Sequence, residues 1–444
     1  MQLSAQIKRT PLFLFWLLLL VLPVQLGRHF WLQTSLVLGI RIDYLSPTFY
    51  FSDLVIFLLL ASWAAKLLVE KKKLDKKIVI VIFIFPLSLL ICTIFSPIFQ
   101  NSLYYVAKIW EMSLLCLFIS QEIEFKGKIT KVLAFLSIGV FWQSILGIFQ
   151  FIYQRSAGLW VLGERSFNAQ TPGISLVNLD GAQFLRPYGT FPHPNVLGGF
   201  LAILLPAFLL LFLAQKQKNL FLLSSVLLGF VALTLAFSRT SWFVGFGLSL
   251  IIIGRFALRS RVKLSGKFLL SVFGIFLVFI FTLPYFIQRI TSFSTTDSHS
   301  LILRLKLTSS AFLMFKSYPV FGVGPGNFLS FLPRFFDLKE TIRWIQPVHN
   351  VFLLTLAESG ILGLFFFLTL FFYPIFELLK VMKKNVFAKI ILIWFLAIYI
   401  LASFDHYFLT LQQGQLIFWI FLGLSWSFIK SNNFGQNTPK TVLE

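Results

Sequence analysis

Runs of apolar residues that are long enough to cross a lipid bilayer recur from one end of the chain to the other. About 20 residues suffice for one helical crossing, and twelve such segments can be placed. They lie near residues 11–27, 50–69, 78–96, 103–120, 131–154, 194–214, 219–237, 240–254, 268–287, 348–373, 389–404 and 414–429. Only 12% of the residues are charged, against about 25% in soluble proteins. The sequence therefore predicts an all-α polytopic integral membrane protein and excludes a soluble enzyme, a disordered chain and a disulfide-rich secreted domain.

The formal net charge of +22 does not require a nucleic-acid partner. Much of the excess lies in short loops such as residues 71–77 and 255–267. Basic loops of this kind mark the cytoplasmic side of a membrane protein, so we predict that both termini are cytoplasmic. Such loops also favour anionic lipid headgroups, and membrane lipids are expected partners. The absence of large soluble domains and organelle signals favours a bacterial inner membrane.

The first apolar segment resembles a signal peptide, because Lys8 and Arg9 precede the run from Leu12 to Leu22. No small-x-small cleavage site follows it, so we expect an uncleaved first span. Cys92 and Cys116 both fall within predicted spans, which indicates neither a disulfide framework nor a thiolate metal site.

The spans and loops are expected to form one integrated membrane domain. Its predicted parts are a five-span region (1–154), a first long outer loop (155–193), a four-span region (194–287), a long outer catalytic loop (288–348), a three-span region (349–429) and a cytoplasmic tail (430–444). Two outer loops exceed what a simple reversal of the chain needs, and long ordered loops are typically functional.

The first long loop contains a predicted β-hairpin. Residues Ile174 to Leu185 alternate in polarity around Asp180-Gly181, a pair typical of two-residue hairpin turns. A Pro- and Gly-rich stretch from Arg186 to Asn195 then leads into the sixth span. Periodicity alone does not distinguish a functional loop from a surface feature that is rigidly connected to the helix.

The second long loop opens with a polar stretch at residues 291–299. A helical pattern follows from Leu301 to Lys316, in which Leu301, Leu305, Phe312 and Phe315 can share an apolar face. A rigid turn cluster runs from Pro319 to Phe328. The aromatic residues that follow, Phe335, Phe336 and Trp344, either stack on sugars or rest among lipid headgroups. Nucleotide-binding glycine motifs, Asp-x-Asp and His-Glu-x-x-His are absent from the sequence, so neither a cofactor nor a metal is predicted.

Arg239 and His349 are the strongest candidates for chemistry. Arg239 lies in the tight outer turn between spans seven and eight, where an arginine either reaches lipid phosphates or binds an anion in a cavity. His349 stands at the outer end of span ten, where a neutral imidazole can accept a proton. The other histidines, His29, His193, His299 and His406, are interpreted as incidental. Within the spans, Lys108 and Glu111 are predicted to pair, and Glu358 either orients a neighbouring helix or lines a cavity.

Four short motifs together resemble the bacterial O-antigen ligase family, which is related to the O-antigen polymerases. They are, in chain order, Arg186-x-x-Gly189-Thr190-Phe191-x-His193-Pro194-Asn195, Ser238-Arg239-Thr240, Gly322-Val323-Gly324-Pro325-Gly326-Asn327-Phe328, and His349-Asn350 followed by Gly360-x-x-Gly363. Each motif is short, but their order and the twelve-span count agree with the family.

The resemblance implies a type C glycosyltransferase architecture. It implies transfer of a glycan from a polyprenyl diphosphate carrier to an acceptor hydroxyl, without a nucleotide sugar or a metal. Carried over by motif, His349 is the expected catalytic base, and Arg239 and Arg304 are the expected catalytic arginines. Arg186, which matches a recurrent loop arginine, is assigned with Asn350 and Arg343 to substrate binding.

The residues alone do not exclude a different class of protein, a transporter or flippase. Twelve spans with both termini inside are common in transporters and in flippases of lipid-linked glycans, although such proteins usually show deep ionisable residues and two similar halves. The sequence does not distinguish ligation to a lipid core, repeat-unit polymerisation, attachment to a wall polymer or glycosylation of a protein.

Overall fold

The structure, a computed structural model, describes residues 2–179, 181–215, 219–259, 266–291, 295–337, 345–381 and 386–433. Its long helices are α1 (Gln2–Val21), α2 (Phe51–Glu70), α3 (Lys76–Ile94), α4 (Phe99–Glu122), α5 (Phe125–Tyr153), α6 (Pro194–Ala214), α7 (Leu220–Leu235), α8 (Arg239–Arg259), α9 (Gly266–Thr291), α10 (Thr295–Ser317), α12 (Val351–Val381), α13 (Val386–Ala402) and α15 (Gln412–Asn433). Two single turns, α11 (Phe328–Phe331) and α14 (Tyr407–Thr410), complete the helices of the described residues.

A helix overlies each of the twelve predicted spans. Among the described residues, seven helices are long and apolar enough to cross a membrane, namely α2, α3, α4, α5, α6, α8 and α12. Helices α7 and α13 and part of α9 are apolar but shorter. The chain is therefore a predominantly helical, multi-pass membrane protein, as the sequence predicts. The count of twelve crossings stays a prediction.

Helix α6 forms the centre of the bundle. Its apolar stretch is 94% buried, whereas the corresponding stretches of α2 and α8 are each 39% buried. Helices α7, α8 and α13 pack around it, so apolar side chains on every face of α6 contact protein. The outer helices leave one face to the lipid, because a bilayer solvates apolar side chains as well as protein does.

Three small antiparallel two-stranded sheets lie outside the helices of the described residues. Between α1 and α2, β1 (Gly27–His29) pairs with β4 (Thr48–Tyr50), and β2 (Leu36–Val37) pairs with β3 (Ile40–Arg41). Strands β5 (Leu176–Leu179) and β6 (Ala182–Leu185) form the third sheet, a hairpin in a register that joins Leu179 to Ala182. That register leaves the two-residue connection at 180–181 that the alternation predicts. Residue Asp180 itself lies outside the described residues.

The helical pattern of the second long loop becomes α10, but its predicted apolar face is not the buried one. Leu301, Leu305 and Phe312 are all exposed. The buried side chains lie on another face, at Leu307, Ala311 and Met314, and contribute to a small core with residues of α11 and α12. The helix is apolar on more than one side, so the composition of one face does not reveal which side packs.

Helix α12 is interrupted at Gly360, whose backbone is left-handed with φ of 60°. A Cβ at this position would lie 2.3 Å from Val320, so the interruption requires glycine. The backbone of the 319–324 turn docks there: Val323 N donates to Ala357 O, and Ile361 N donates to Pro319 O. The glycine motif of α12 and the Gly-rich turn of the long loop therefore form one packed unit.

The charged residues inside the spans pair with one another. Lys108 Nζ lies 3.0 Å from Glu111, as predicted, and 2.7 Å from Asp53 of α2. The two carboxylates thus compensate a buried ammonium. Cys92 and Cys116 are free and buried, in agreement with the absence of a predicted disulfide.

Candidate active site

His349 is positioned by the N-terminal end of α12. The side chain of Asn350 accepts a hydrogen bond from Leu353 N at 2.9 Å, which satisfies one of the free backbone donors of the first turn. Its amide nitrogen donates to Ser403 O at 3.0 Å, in the connection between α13 and α14. Asn350 therefore draws the start of α12 against that connection, and its contact with a substrate stays a prediction.

The α13–α14 connection presents Asp405 and His406 to His349. The rings of His349 and His406 meet edge to face with centroids 5.3 Å apart. One ligand atom from each of the three residues lies within 4.8 Å of the others. His406 Nδ1 is 2.7 Å from Thr410 Oγ1, and its Nε2 is 4.0 Å from Asp405 Oδ1. Two imidazoles and one carboxylate thus form a compact cluster.

Arg304 of α10 and His193 interact electrostatically with this cluster. The positive charge of Arg304 lowers the pKa of His193, His349 and His406, and that of His193 lowers the pKa of His349. Within the described part of the chain, the buried Arg304 Nε and His349 Nδ1 have no hydrogen-bond partner. A buried polar atom left unpartnered costs about 1–3 kcal/mol, so both atoms are suited to contact a bound molecule.

Burial keeps the imidazoles of the cluster neutral at physiological pH. Desolvation lowers the pKa of His349 to about 3 and that of His406 to about 4, although the carboxylate of Asp405 opposes both shifts. Desolvation and the charge of Arg186 hold the pKa of His193 well below its usual range. A neutral His349 has a lone pair available, which is the state that a general base requires.

Arg186 connects the stretch that follows β6 to the turn between α7 and α8. Its Nε and Nη2 donate to Ala236 O at 3.0 and 2.7 Å, and Nη2 also donates to Asn195 Oδ1 at 2.8 Å. Asn195 Nδ2 in turn donates to Asp405 Oδ2 at 3.4 Å. These bonds tie the α7–α8 turn to the acidic member of the cluster.

Arg239 begins α8 directly after this turn, and its side chain is exposed. Arg186 anchors the turn through Ala236 O, which connects Arg239 to the cluster through the backbone. The convergence of Arg239 with His349 and Arg304 stays a prediction. Arg343, together with Trp344, lies outside the described residues.

In the interpretation of the sequence, His193 and His406 are incidental and Asp405 is not considered, whereas the structure places His406 and Asp405 in one cluster with His349. His193 lies in the first of the four motifs, but nothing near Asp405 or His406 in the sequence distinguishes them. One signal was available: if the spans alternate as predicted, residues 193, 349 and 405–406 all lie at outer ends of spans. Residues on one side of a bundle can converge even when 56 positions separate them, as His349 and Asp405 show.

Glu358 fulfils both roles that the sequence left open. Its Oε1 accepts a hydrogen bond from Phe328 N at 3.1 Å, which fixes the end of the Gly-rich turn. The same side chain also lines a cavity that borders the cluster.

Comparison with known proteins identifies a similar family over part of the chain. Residues 224–368 match the sequence model of the O-antigen ligase family. No curated protein matches the chain. The matched region includes Arg239, Arg304 and His349, whereas Asp405 and His406 lie beyond it. The resemblance of this multi-pass membrane protein to the O-antigen ligase family, with its lipid-linked donors and glycan acceptors, is thereby confirmed over residues 224–368.

Proposed function

We propose that the protein transfers a glycan from a polyprenyl diphosphate carrier to an acceptor hydroxyl, without a metal and with inversion of the anomeric configuration. The reaction takes place at the outer face of a bacterial cytoplasmic membrane, with both termini inside. The observation that supports this most directly is the combination of an unpartnered Arg304 Nε, an unpartnered Nδ1 on a neutral His349, and the carboxylate of Asp405.

The reaction is a single displacement. The acceptor oxygen attacks the anomeric carbon while the bond from that carbon to the diphosphate oxygen breaks, and the bonding electrons leave with the diphosphate. The acceptor proton passes to His349. One attack from the face opposite the leaving group gives inversion.

The arginines stabilise the negative charge that develops on the leaving diphosphate. A guanidinium offers several permanently charged donors in a fixed plane, which suits phosphate oxygens. Arg304 stands next to the base, and Arg239 is the second donor in this proposal. Donors that are already in position contribute about 3–4 kcal/mol each by analogy with oxyanion holes.

Asp405 stabilises the imidazolium that forms when His349 accepts the proton. Its charge already raises the pKa of His349 against desolvation. The diphosphate of a bound donor adds negative charge to the same site, which favours the protonated imidazole further. The basicity of His349 thus increases when the substrate is present.

The transporter or flippase alternative receives less support. Within the described spans, Lys108 is paired with both Asp53 and Glu111, so its charge is compensated by protein carboxylates and needs no charged cargo. The family match over residues 224–368 favours an enzyme.

The proposal is tested by transfer in vitro. The purified protein in lipid nanodiscs is supplied with a polyprenyl-diphosphate-linked glycan and candidate acceptors, and the product is analysed by mass spectrometry and NMR. We expect a new glycosidic bond with the anomeric configuration opposite to that of the donor. Retention of configuration contradicts the single displacement, and movement of intact donor between leaflets without transfer favours the flippase.

A further inference from the structure

A polar cavity of about 450 Å³ borders the catalytic cluster. This volume falls in the usual range of about 300–1,000 Å³ for small-molecule sites. Tyr44 and Thr410 belong to its lining, and both contact His406: the ring of Tyr44 meets the imidazole edge-on at 5.4 Å, and Thr410 shares a hydrogen bond with it. The cavity and the cluster therefore share a wall.

Two amide oxygens in the lining lack a donor. Gln25 Oε1 and Gln412 Oε1 are both buried, and no described residue donates a hydrogen bond to either. The orientation of Gln412 follows from its contacts, because its amide nitrogen donates to the carboxylate of Asp53 and to Ser52 Oγ. A carboxylate accepts hydrogen bonds only, so the Gln412 carbonyl is the group left without a partner.

Donor groups and aromatic rings lie in the same lining. The ammonium of Lys108 has three N–H donors, of which Asp53 and Glu111 engage two. Tyr44 and Tyr50 also line the cavity, and Lys108 Nζ lies 5.8 Å from the centroid of the Tyr50 ring. A ligand here meets hydrogen-bond acceptors, a donor and ring faces together.

These groups select one ligand chemistry. An alkyl chain has no donor for the two carbonyls and would leave them buried and unpartnered. A diphosphate is a poorer match because the charges of the lining are mixed: Arg41, Lys108 and Arg165 stand with Asp43 and Glu358. A neutral sugar has hydroxyls that both donate and accept, and an apolar ring face that packs against tyrosine.

We propose that this cavity binds a neutral, hydroxyl-rich sugar unit of the reacting glycan, with Gln25 and Gln412 as its hydrogen-bond acceptors. That the sugar belongs to a substrate rests on the proposed function. Sugar binding by itself follows from the lining and is measurable without transfer.

The test uses the full-length protein in nanodiscs and two variants. Gln25→Leu and Gln412→Met remove the carbonyl at similar side-chain size. Gln100→Leu is the matched control, because Gln100 is exposed on α4 and does not line the cavity. Saturation-transfer NMR with free glucose, galactose, rhamnose, N-acetylglucosamine and their common disaccharides measures binding. Transfer kinetics measure KM separately for the donor and for the acceptor.

We expect at least one of these sugars to bind the wild-type protein and the Gln100→Leu control, and to bind each cavity variant roughly five- to tenfold more weakly, as the loss of one hydrogen bond predicts. The same variants should raise KM by a similar factor with little change in kcat. An increase in donor KM places the donor sugar in the cavity, and an increase in acceptor KM places the acceptor sugar there.

Gln25→Leu keeps the experiment decisive if Gln412→Met fails to fold, because the structure gives the Gln25 side chain no hydrogen bond to the described residues. Equal sugar binding by the wild type and the folded variants overturns the proposal, as does the absence of binding combined with an unchanged KM. A raised KM without binding of a free sugar supports it. Sugar binding that is lost in the variants, in a protein without transferase activity, upholds the cavity and contradicts only the proposed function.

Discussion

Residues 224–368, which match the family model, and the segments on either side of them contribute different groups to the candidate site. The matched region supplies His349, Arg304 and Arg239. The flanking segments supply His193, Asp405 and His406, and most of the polar cavity beside them. Under the proposed function, the matched region provides the proton acceptor and the cationic donors. The flanks provide the groups that adjust the pKa of the base and contact the glycan.

This difference predicts a hierarchy of mutational effects. Substitutions in the matched region should reduce kcat for every substrate, because the leaving group and the transferred proton are common to all of them. Substitutions in the flanks should have smaller effects, and those in the cavity should depend on the sugar.

The largest effect is expected for His349→Ala. Removal of the general base should reduce kcat by about 10²–10⁴-fold, measured as transfer in nanodiscs under saturating donor. The level of membrane insertion and the melting temperature serve as controls, since His349 precedes α12 and makes no hydrogen bond through its buried Nδ1 to the described residues. Transfer at a near wild-type rate would remove His349 from the mechanism.

Arg304→Lys and Arg239→Lys come next. Each replaces a planar, multidentate donor by a single ammonium, and we expect each to lose roughly 10²–10³-fold in kcat/KM, the range seen for an oxyanion-hole donor. Arg334→Lys is the matched control, because Arg334 is exposed and its guanidinium stacks on the ring of Phe331.

A loss in Arg304→Lys with none in Arg239→Lys would show that the exposed arginine lies outside the site. Full activity in both would leave the diphosphate without its proposed partners.

The degree to which the sequence predicted this arrangement differs between fold and site. Apolar segments of sufficient length predicted the helices, and Asp180-Gly181 predicted the β5–β6 hairpin. The strands β1 to β4 were missed because two or three residues are too few to show an alternating pattern. His349 and Arg239 were singled out by their positions at the outer ends of predicted spans, and Arg304 only through the resemblance to the family. Asp405 and His406 approach His349 through the packing of α12 against the α13–α14 connection, which no local pattern records.

Asp405→Asn tests the contribution of the flanks. The substitution keeps the shape of the side chain and removes the charge that stabilises protonated His349. We expect kcat to fall on the order of tenfold, which corresponds to one pKa unit, with the donor KM little changed. A merely structural role would instead lower the melting temperature and leave kcat of the folded fraction intact.

The dependence of kcat/KM on pH tests the low pKa of His349 and the contribution of Asp405 to it. With the pKa of His349 near 3, the free base is unprotonated throughout pH 5–8, so kcat/KM of the wild type should not fall as the pH decreases through 6.5. Asp405→Asn moves the pKa of His349 further down, so its profile should be equally flat at a lower level. An acid limb near pH 6.5 in the wild type would show that the imidazole is solvated, contrary to the structure.

The smallest effect is expected from a chelator. His349, Asp405 and His406 form a group of potential ligands, but the proposed mechanism assigns the charge of the leaving group to arginines. The nearby guanidinium of Arg304 also repels a divalent cation. Incubation with EDTA followed by removal of metal should therefore leave transfer unchanged, with metal content followed by mass spectrometry. Loss of activity that Mg²⁺, Mn²⁺ or Zn²⁺ restores would assign the three residues to a metal. It would also shift the catalytic centre from the matched region towards its C-terminal flank, because two of the three ligands, Asp405 and His406, lie there.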